Sequence, residues 1–283
     1  MELFEVDLGL GGGQLMQVAH RTKCQNMCYI IDTPTGNVAM LDGGYYTTED
    51  GTFLYEELKK RGGRIHTWMF SHGHEDHIGC LLWMFENIPD FDLQIDRICY
   101  NFPPTEWFGG LEGGGTMKYV ERLCKQIEDR KIPVEIVHAG DTVDLGGMTA
   151  DVLSDPRNFE NYRTEINSST VVWKVHFPAR DVLFLADLSV EGEKDLLKVT
   201  DPSVLRCDIA QMSHHGQNGV SHDFYRMIAP KHCFWPTTLK FWNNDNGGGP
   251  GSGPWKVPET KAWMDEMGAV GHYVTAFGDY LFR

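Results

Sequence analysis

The chain has 283 residues, 41% hydrophobic and 23% charged, an ordinary globular composition with length enough to bury a large core. Its formal net charge of −15 argues against long nucleic acid as a partner, because the short Lys59-Lys60-Arg61 and Arg130-Lys131 groupings read as solvated helix ends, not as a basic face. No apolar run reaches the roughly 20 residues of a membrane span, the N-terminus lacks signal-peptide character, and seven scattered cysteines fit reduced thiols in a cytoplasmic protein.

Met1 to Asp7 reads as a first strand, followed by a turn at Gly11-Gly12-Gly13. Cys28–Asp32 and Asn37–Asp42 are strand-like and flank Thr33-Pro34-Thr35-Gly36, whose turn chemistry predicts a hairpin. Phe53, Leu54 and Leu58 have helical spacing and predict a helix from about Glu49 to Arg61, stopped by Gly62-Gly63. Ile65–Phe70 is an apolar strand that runs directly into Ser71-His72-Gly73-His74-Glu75-Asp76-His77, and Ile78–Phe85 reads as a buried helix. A strand around Arg97–Tyr100 and a helix around Met117–Asp129 follow. In the second half, Thr149–Leu153, Thr170–Val175 and Val182–Leu185 are strands by β-branched content, and a helix near Glu191–Lys198 precedes a strand within Arg206–Met212. The Gly/Pro-rich stretch between Trp242 and Trp255 reads as a flexible loop able to close over a small ligand. Strands preceding helices in two similar halves, with no fixed-period repeat, predict one α/β domain over 1–283: two sheets packed together with helices outside.

The chemistry concentrates in one place. Three histidines and two carboxylates fall within six residues, between a buried strand and a helix. Imidazole nitrogen and carboxylate oxygen, with no soft sulfur, suit Zn²⁺, with Mn²⁺ or Fe²⁺ as alternatives. His72 and His74, two apart in extended backbone, point the same way and can chelate one ion. Asp76 and His77, from the turn into the helix, can reach a second. Gly73 removes a side chain where the loop folds tightly. A merely polar surface loop would not place this spacing directly after an apolar strand.

Ser-His-x-His-x-Asp-His followed by Ile78-Gly79 resembles the signature of the metallo-β-lactamase superfamily, and the resemblance extends over nearly the whole chain. Leu41-Asp42-Gly43-Gly44 is similar to that family's early Asp-Gly element, which implies that Asp42 supports the metal site from behind the ligands. Phe184-Leu185-Ala186-Asp187 resembles the later strand end whose Asp bridges both ions, with Ala186 where relatives carry Gly. Ser213-His214-His215-Gly216, with Ser221 and Asn167-Ser168-Ser169, resembles the branch that includes the DNA-internalisation hydrolase domain, and Thr275–Asp279 is similar to its final strand pair. The fold implied is the four-layer αββα sandwich.

The resemblance also implies ligand roles. Many relatives supply a third histidine to the first ion from the segment ahead of the bridging Asp. Here that segment offers Asn167, expected behind the ligands or against substrate, while His138 reads as structural and His176 as strand surface. The first ion is therefore expected to hold His72, His74 and Asp187, with water completing it. The second is expected to take Asp76, His77, Asp187 and one of His214 and His215, which an extended backbone would point to opposite sides; His214 is favoured. The mechanism implied is hydrolysis by a water shared between two ions and oriented by Asp76 or Asp187. A small phosphodiester or phosphoryl ester is the expected substrate. Lactones, thioesters, carboxyl esters and β-lactams on the same scaffold are the alternative, and a non-catalytic metal-binding or oxygen-sensing module is an alternative of another class.

Overall fold

The computed structural model describes residues 1–111, 114–156 and 165–283. Tyr29–Asp32 and Val38–Leu41 carry almost no polar residue because both of their faces are covered. Side chains alternate along them. Tyr29, Ile31, Ala39 and Leu41 enter one core, and Ile30, Val38 and Met40 enter another.

Among the described residues the first sheet has eight strands, in the spatial order Glu2–Val6, Gly278–Phe282, Gln14–Gln17, Tyr29–Asp32, Val38–Leu41, Thr67–Met69, Ile98–Tyr100 and Val134–Ile136. The second has seven, ordered Thr142–Asp144, Thr149–Val152, Trp173–His176, Asp181–Phe184, Ile209–Gln211, His232–Trp235 and Gly271–Val274. Between them lies a core with Leu15, Tyr29, Leu41 and Met69 from one sheet and Ala150, Trp173, Phe184 and Phe234 from the other. Helices Thr48–Lys60, Glu75–Asn87 and Gly115–Asp129 cover the outer face of the first sheet through Leu54, Leu81 and Leu123. Val190–Val199, His222–Ile228 and Val257–Glu266 cover the second through Leu196, Phe224 and Met264. The layers are helix, sheet, sheet, helix, as the resemblance implies.

The cysteines are all free. Among the described residues no helix is long and apolar enough to cross a membrane.

Some local expectations change. The apolar run 65–70 is interrupted at His66: Arg64–Ile65 pairs with Gln94–Ile95 in a separate two-stranded ribbon, and Thr67–Met69 joins the large sheet. The stretch 243–254 is tied to itself, because the Asp245 carboxylate accepts from Gly247 and Gly249 N–H while Asn244 Oδ1 accepts from Trp255 N–H. It is a loop with hydrogen bonds of its own. Val134–Ile136, Thr142–Asp144 and His232–Trp235 are strands that the residue pattern does not announce.

What positions the site is a shared edge. Val38–Leu41 and Thr67–Met69 run parallel, with Leu41 opposite Met69, so Asp42 and Ser71 leave the sheet side by side. In the other sheet Asp181–Phe184 and Ile209–Gln211 run parallel, with Phe184 opposite Gln211, so Asp187 and His214 also leave together. A Val171 N–H to Ser71 carbonyl bond of 2.9 Å ties the two ends.

Candidate metal centre

Asp42 is the anchor beneath the site. Fully buried, it accepts from Ser71 N–H (2.8 Å) and Ser71 Oγ–H (2.9 Å), and from His77 Nδ1–H at 2.8 Å. That last bond commits Nδ1 as donor and leaves His77 Nε2 as the nitrogen facing the site. Ser71 Oγ also lies 3.1 Å from His72 Nδ1, turning His72 Nε2 toward His74 Nδ1, 2.9 Å away. His215 Nδ1–H donates to the Pro236 carbonyl at 2.6 Å, so its Nε2 also faces inward.

Two groups of three result. His72, His74 and Asp187 form one, and Asp76, His77 and His215 the other; within each, the ligand atoms lie within 4.8 Å of one another. Asp187 Oδ1 stands 3.4 Å from His77 Nε2 and 3.5 Å from His215 Nε2, so the carboxylate of the first group also faces the second. His215 Nε2 is 3.0 Å from Asp76 Oδ2.

These residues fit a cation. His77 Nε2, His215 Nε2 and Asp187 Oδ1 are buried and make no hydrogen bond of acceptable geometry, although buried polar atoms are nearly always satisfied. Electrostatics agree. Burial opposes charge on His77, but Asp187, Asp42 and Asp76 outweigh it and hold the imidazole well above its usual range. His215 is pushed up to about 10, because Asp187 and Asp76 overcome its burial. Burial works against ionised Asp187, but His215, His77 and His214 hold it well below the usual carboxylate range; Asp76 is lowered against its burial by His77 and His215. His72, desolvated and next to His77 and His74, is pushed well below its usual value. Buried carboxylates here are balanced by imidazole protons, a role that a divalent cation fills at higher charge.

The backbone is strained at the same spot. Among the described residues seven non-glycine positions have positive φ, and four lie here: Asp42 (54°), Ala186 (44°), His214 (49°) and His215 (57°). Such conformations cost of order 1 kcal/mol or more each and collect at functional sites. Ala186 adopts the left-handed conformation that favours Gly.

The turn at His214-His215 corrects one expectation. The pair is not extended, and the side chain brought onto Asp76 and Asp187 is His215, not the favoured His214. His214 Nε2 lies 3.8 Å from Asp187 Oδ2 and receives the Asn167 Nδ2–H at 3.3 Å. Asn167 is buried, its Oδ1 unpaired, and with His214 it lines a pocket of about 640 Å³ that opens over His74 and Asp76. His72, His77, His215 and Asp187 lie buried below that pocket. His176 sits between Asp181 and Asp151 on the strand surface, and His138 faces Asp155 at 3.3 Å; neither belongs to the two groups.

Sequence reasoning missed several contributors. Ser71 links Asp42, His72 and His77, a role its place in the motif hinted at. Tyr45 O–H donates to Glu75 at 2.5 Å on the pocket wall, and the exposed Lys23 and Lys240, with Phe241, line the same pocket. Nothing local in the sequence marks these, nor the Pro236 carbonyl.

A family model described as the metallo-β-lactamase superfamily matches residues 21–232. Among solved structures, a mutant of the β-hydroxylase CmlA superposes with a TM-score of 0.56 at 16% identity, covering 96% of this chain and 54% of that one. This chain thus spans about half the hydroxylase's length. The metallo-β-lactamase fold protein YhfI from Bacillus subtilis superposes with a TM-score of 0.54 at 9% identity, covering 96% of this chain and 99% of its own. At such identities the likeness concerns the fold alone. A comparison with curated protein sequences finds no match.

Proposed function

The chain belongs to the metallo-β-lactamase superfamily, and we propose that it is a hydrolase of small phosphate esters, most simply phosphodiesters, working with two divalent ions. The observation that carries this reading is the convergence of His77 Nε2, His215 Nε2 and Asp187 Oδ1, buried and without hydrogen bonds, between two three-residue ligand groups. His72, His74 and Asp187 would hold one ion, and Asp76, His77 and His215 the other, with Asp187 facing both. Zn²⁺ suits the all-nitrogen-and-oxygen donor set, and Mn²⁺ or Fe²⁺ are compatible. Ions bound there supply Lewis-acid activation of water and of a substrate oxygen.

The chain's own residues do the rest. Asp42 and the Pro236 carbonyl set the tautomers of His77 and His215. Asp76 lies both in a ligand group and on the pocket wall, where one carboxylate oxygen can orient a water and take its proton. His214, steadied by Asn167, reaches the pocket outside both ligand groups and faces a substrate oxygen. Its place in Ser213-His214-His215-Gly216 supports a kinship with the DNA-internalisation branch. The net charge of −15 nonetheless favours a small ester over a polymer, which needs a basic track along its backbone.

The test is a panel at moderate salt with zinc- and manganese-supplemented protein: bis-p-nitrophenyl phosphate, a lactone, a thioester, a β-lactam, and single- and double-stranded DNA. Turnover of the small phosphodiester above the others supports the proposal. Efficient DNA cleavage overturns the size argument, and turnover confined to the acyl substrates overturns the phosphoryl one.

A further inference from the structure

The pocket floor is acidic and imidazole-lined, but two lysines, Lys23 and Lys240, stand among the residues lining the pocket. They come from opposite parts of the chain. Lys23 lies on a turn pinned where Arg21 N–H donates to Asp50 (2.6 Å) and Arg21 Nη2 to Asp279 (2.7 Å). Lys240 lies in the short helical turn Leu239–Trp242 that leads into the hydrogen-bonded loop.

In this acidic protein most described cations are spoken for, as in Lys59–Asp92, Arg61–Asp32 and Lys261–Asp265. Lys23 and Lys240 form no ion pair with the described residues. Lys240 is held without being neutralised: its ammonium lies 4.8 Å from the Trp255 ring centroid and 5.6 Å from that of Phe241, and the two rings pack edge to face at 4.5 Å. Trp255 is fixed in turn by its backbone N–H, which donates to Asn244 Oδ1 at 2.9 Å. Glu75, the acidic wall residue outside the ligand groups, is engaged by the Tyr45 hydroxyl.

Size points the same way. A pocket of about 640 Å³ falls within the roughly 300–1,000 Å³ of small-molecule sites and far exceeds one phosphoryl group. We propose that the substrate carries a second anionic group, a carboxylate or a phosphate remote from the scissile ester, and that Lys23 and Lys240 bind it at the pocket mouth while the ester lies over the metal groups. The inference rests on the phosphoryl-ester reading of the site. It makes the two lysines specificity-determining residues, and the phosphoester class becomes that of small two-headed anions.

The experiment measures binding, not turnover. The zinc-reconstituted full chain is titrated calorimetrically with alkylphosphonates, with ω-carboxyalkylphosphonates and with alkyl bisphosphonates of matched and increasing length. At the best length the wild type prefers an anionic tail by about tenfold or more, as expected for charge-assisted contacts, and the preference shrinks with salt. In the Lys23→Met/Lys240→Met variant the ratio of tailed to untailed affinity falls toward one, and Lys240→Arg restores its share. The carboxylate and bisphosphonate arms tell which anion the mouth accepts. Equal binding of tailed and untailed probes by the wild type, or an unchanged ratio in the double variant, overturns the lysine inference alone. Binding of no phosphonate at all overturns the phosphoryl reading and the inference with it.

Discussion

Replacing Asp42 by Asn tests whether the site is built from behind its ligands. The carboxylate and His77 are both fully buried, joined by a 2.8 Å charge-assisted bond. Ser71 N–H must keep an acceptor at Asp42 Oδ1 (2.8 Å), so an amide would turn its NH₂ toward His77 Nδ1. Two donors then meet, and His77 escapes by moving its proton to Nε2, the atom that faces Asp76 and Asp187. A buried charge-assisted hydrogen bond contributes about 1.5–3 kcal/mol, which agrees with the 10–100-fold loss of metal affinity typical when such supporting partners are removed. Competition with a chromophoric chelator should show the ion on Asp76, His77 and His215 weakened by about 10–100-fold, and the ion on His72, His74 and Asp187, which Asp42 reaches only through Ser71 Oγ, weakened less. In the wild type the order of release is the reverse. The first group has only two histidines and the carboxylate facing both, so its ion should leave first as chelator is raised. Equal affinities in wild type and variant, or an equal loss at both groups, would refute the reasoning, as would simultaneous release from the wild type.

Further expectations follow from other contacts. Asp187→Asn should abolish hydrolysis and reduce bound metal while circular dichroism shows the fold retained, because an amide cannot supply the charge that faces both groups; wild-type turnover at full metal content would remove Asp187 from the centre. Gly79→Ala should destabilise by about 1–3 kcal/mol even though Ala is the better helix former, since a Cβ there would sit 2.2 Å from Tyr46 N and 2.7 Å from the Tyr45 carbonyl carbon, both backbone atoms; denaturant unfolding reads the sign, and a stabilised variant would contradict it. His176 is raised above its usual value, its burial outweighed by Asp181 and Asp151. Its contribution should therefore be fully present below about pH 6.5 and fade as pH climbs through the raised value. The melting-temperature gap between wild type and His176→Gln should narrow as pH rises above about 6.5, and a gap that widens there would show the sign to be wrong.

The parts of the site legible in sequence are those that one backbone segment fixes locally. His72, His74, Asp76 and His77 share one short segment, and the strand before them and helix after them are written in apolar periodicity, so their convergence needed no knowledge of the rest. Asp42, Asp187 and the His214-His215 pair are marked in the sequence by resemblance alone, because strand ends from distant segments meet only through sheet order. Which member of the pair turns inward is not legible, because an extended backbone points the two to opposite sides, whereas both histidines adopt left-handed φ, a conformation uncommon for any non-glycine residue. The mouth was invisible for another reason. Lys23 and Lys240 are ordinary surface lysines until the fold brings a turn and a short helix to one pocket. Likewise the glycines of the loop 243–254 do not announce the acceptors that Asp245 and Asn244 supply within it.

The most direct test is a crystal structure of the purified protein, with anomalous data collected at the zinc, iron and manganese edges. Two ions are expected, one among His72, His74 and Asp187 and the other among Asp76, His77 and His215, with Asp187 touching both and His214 beside Asn167 outside both sites. A single ion, or a second ion ligated by His214 with His215 turned away, would contradict this arrangement.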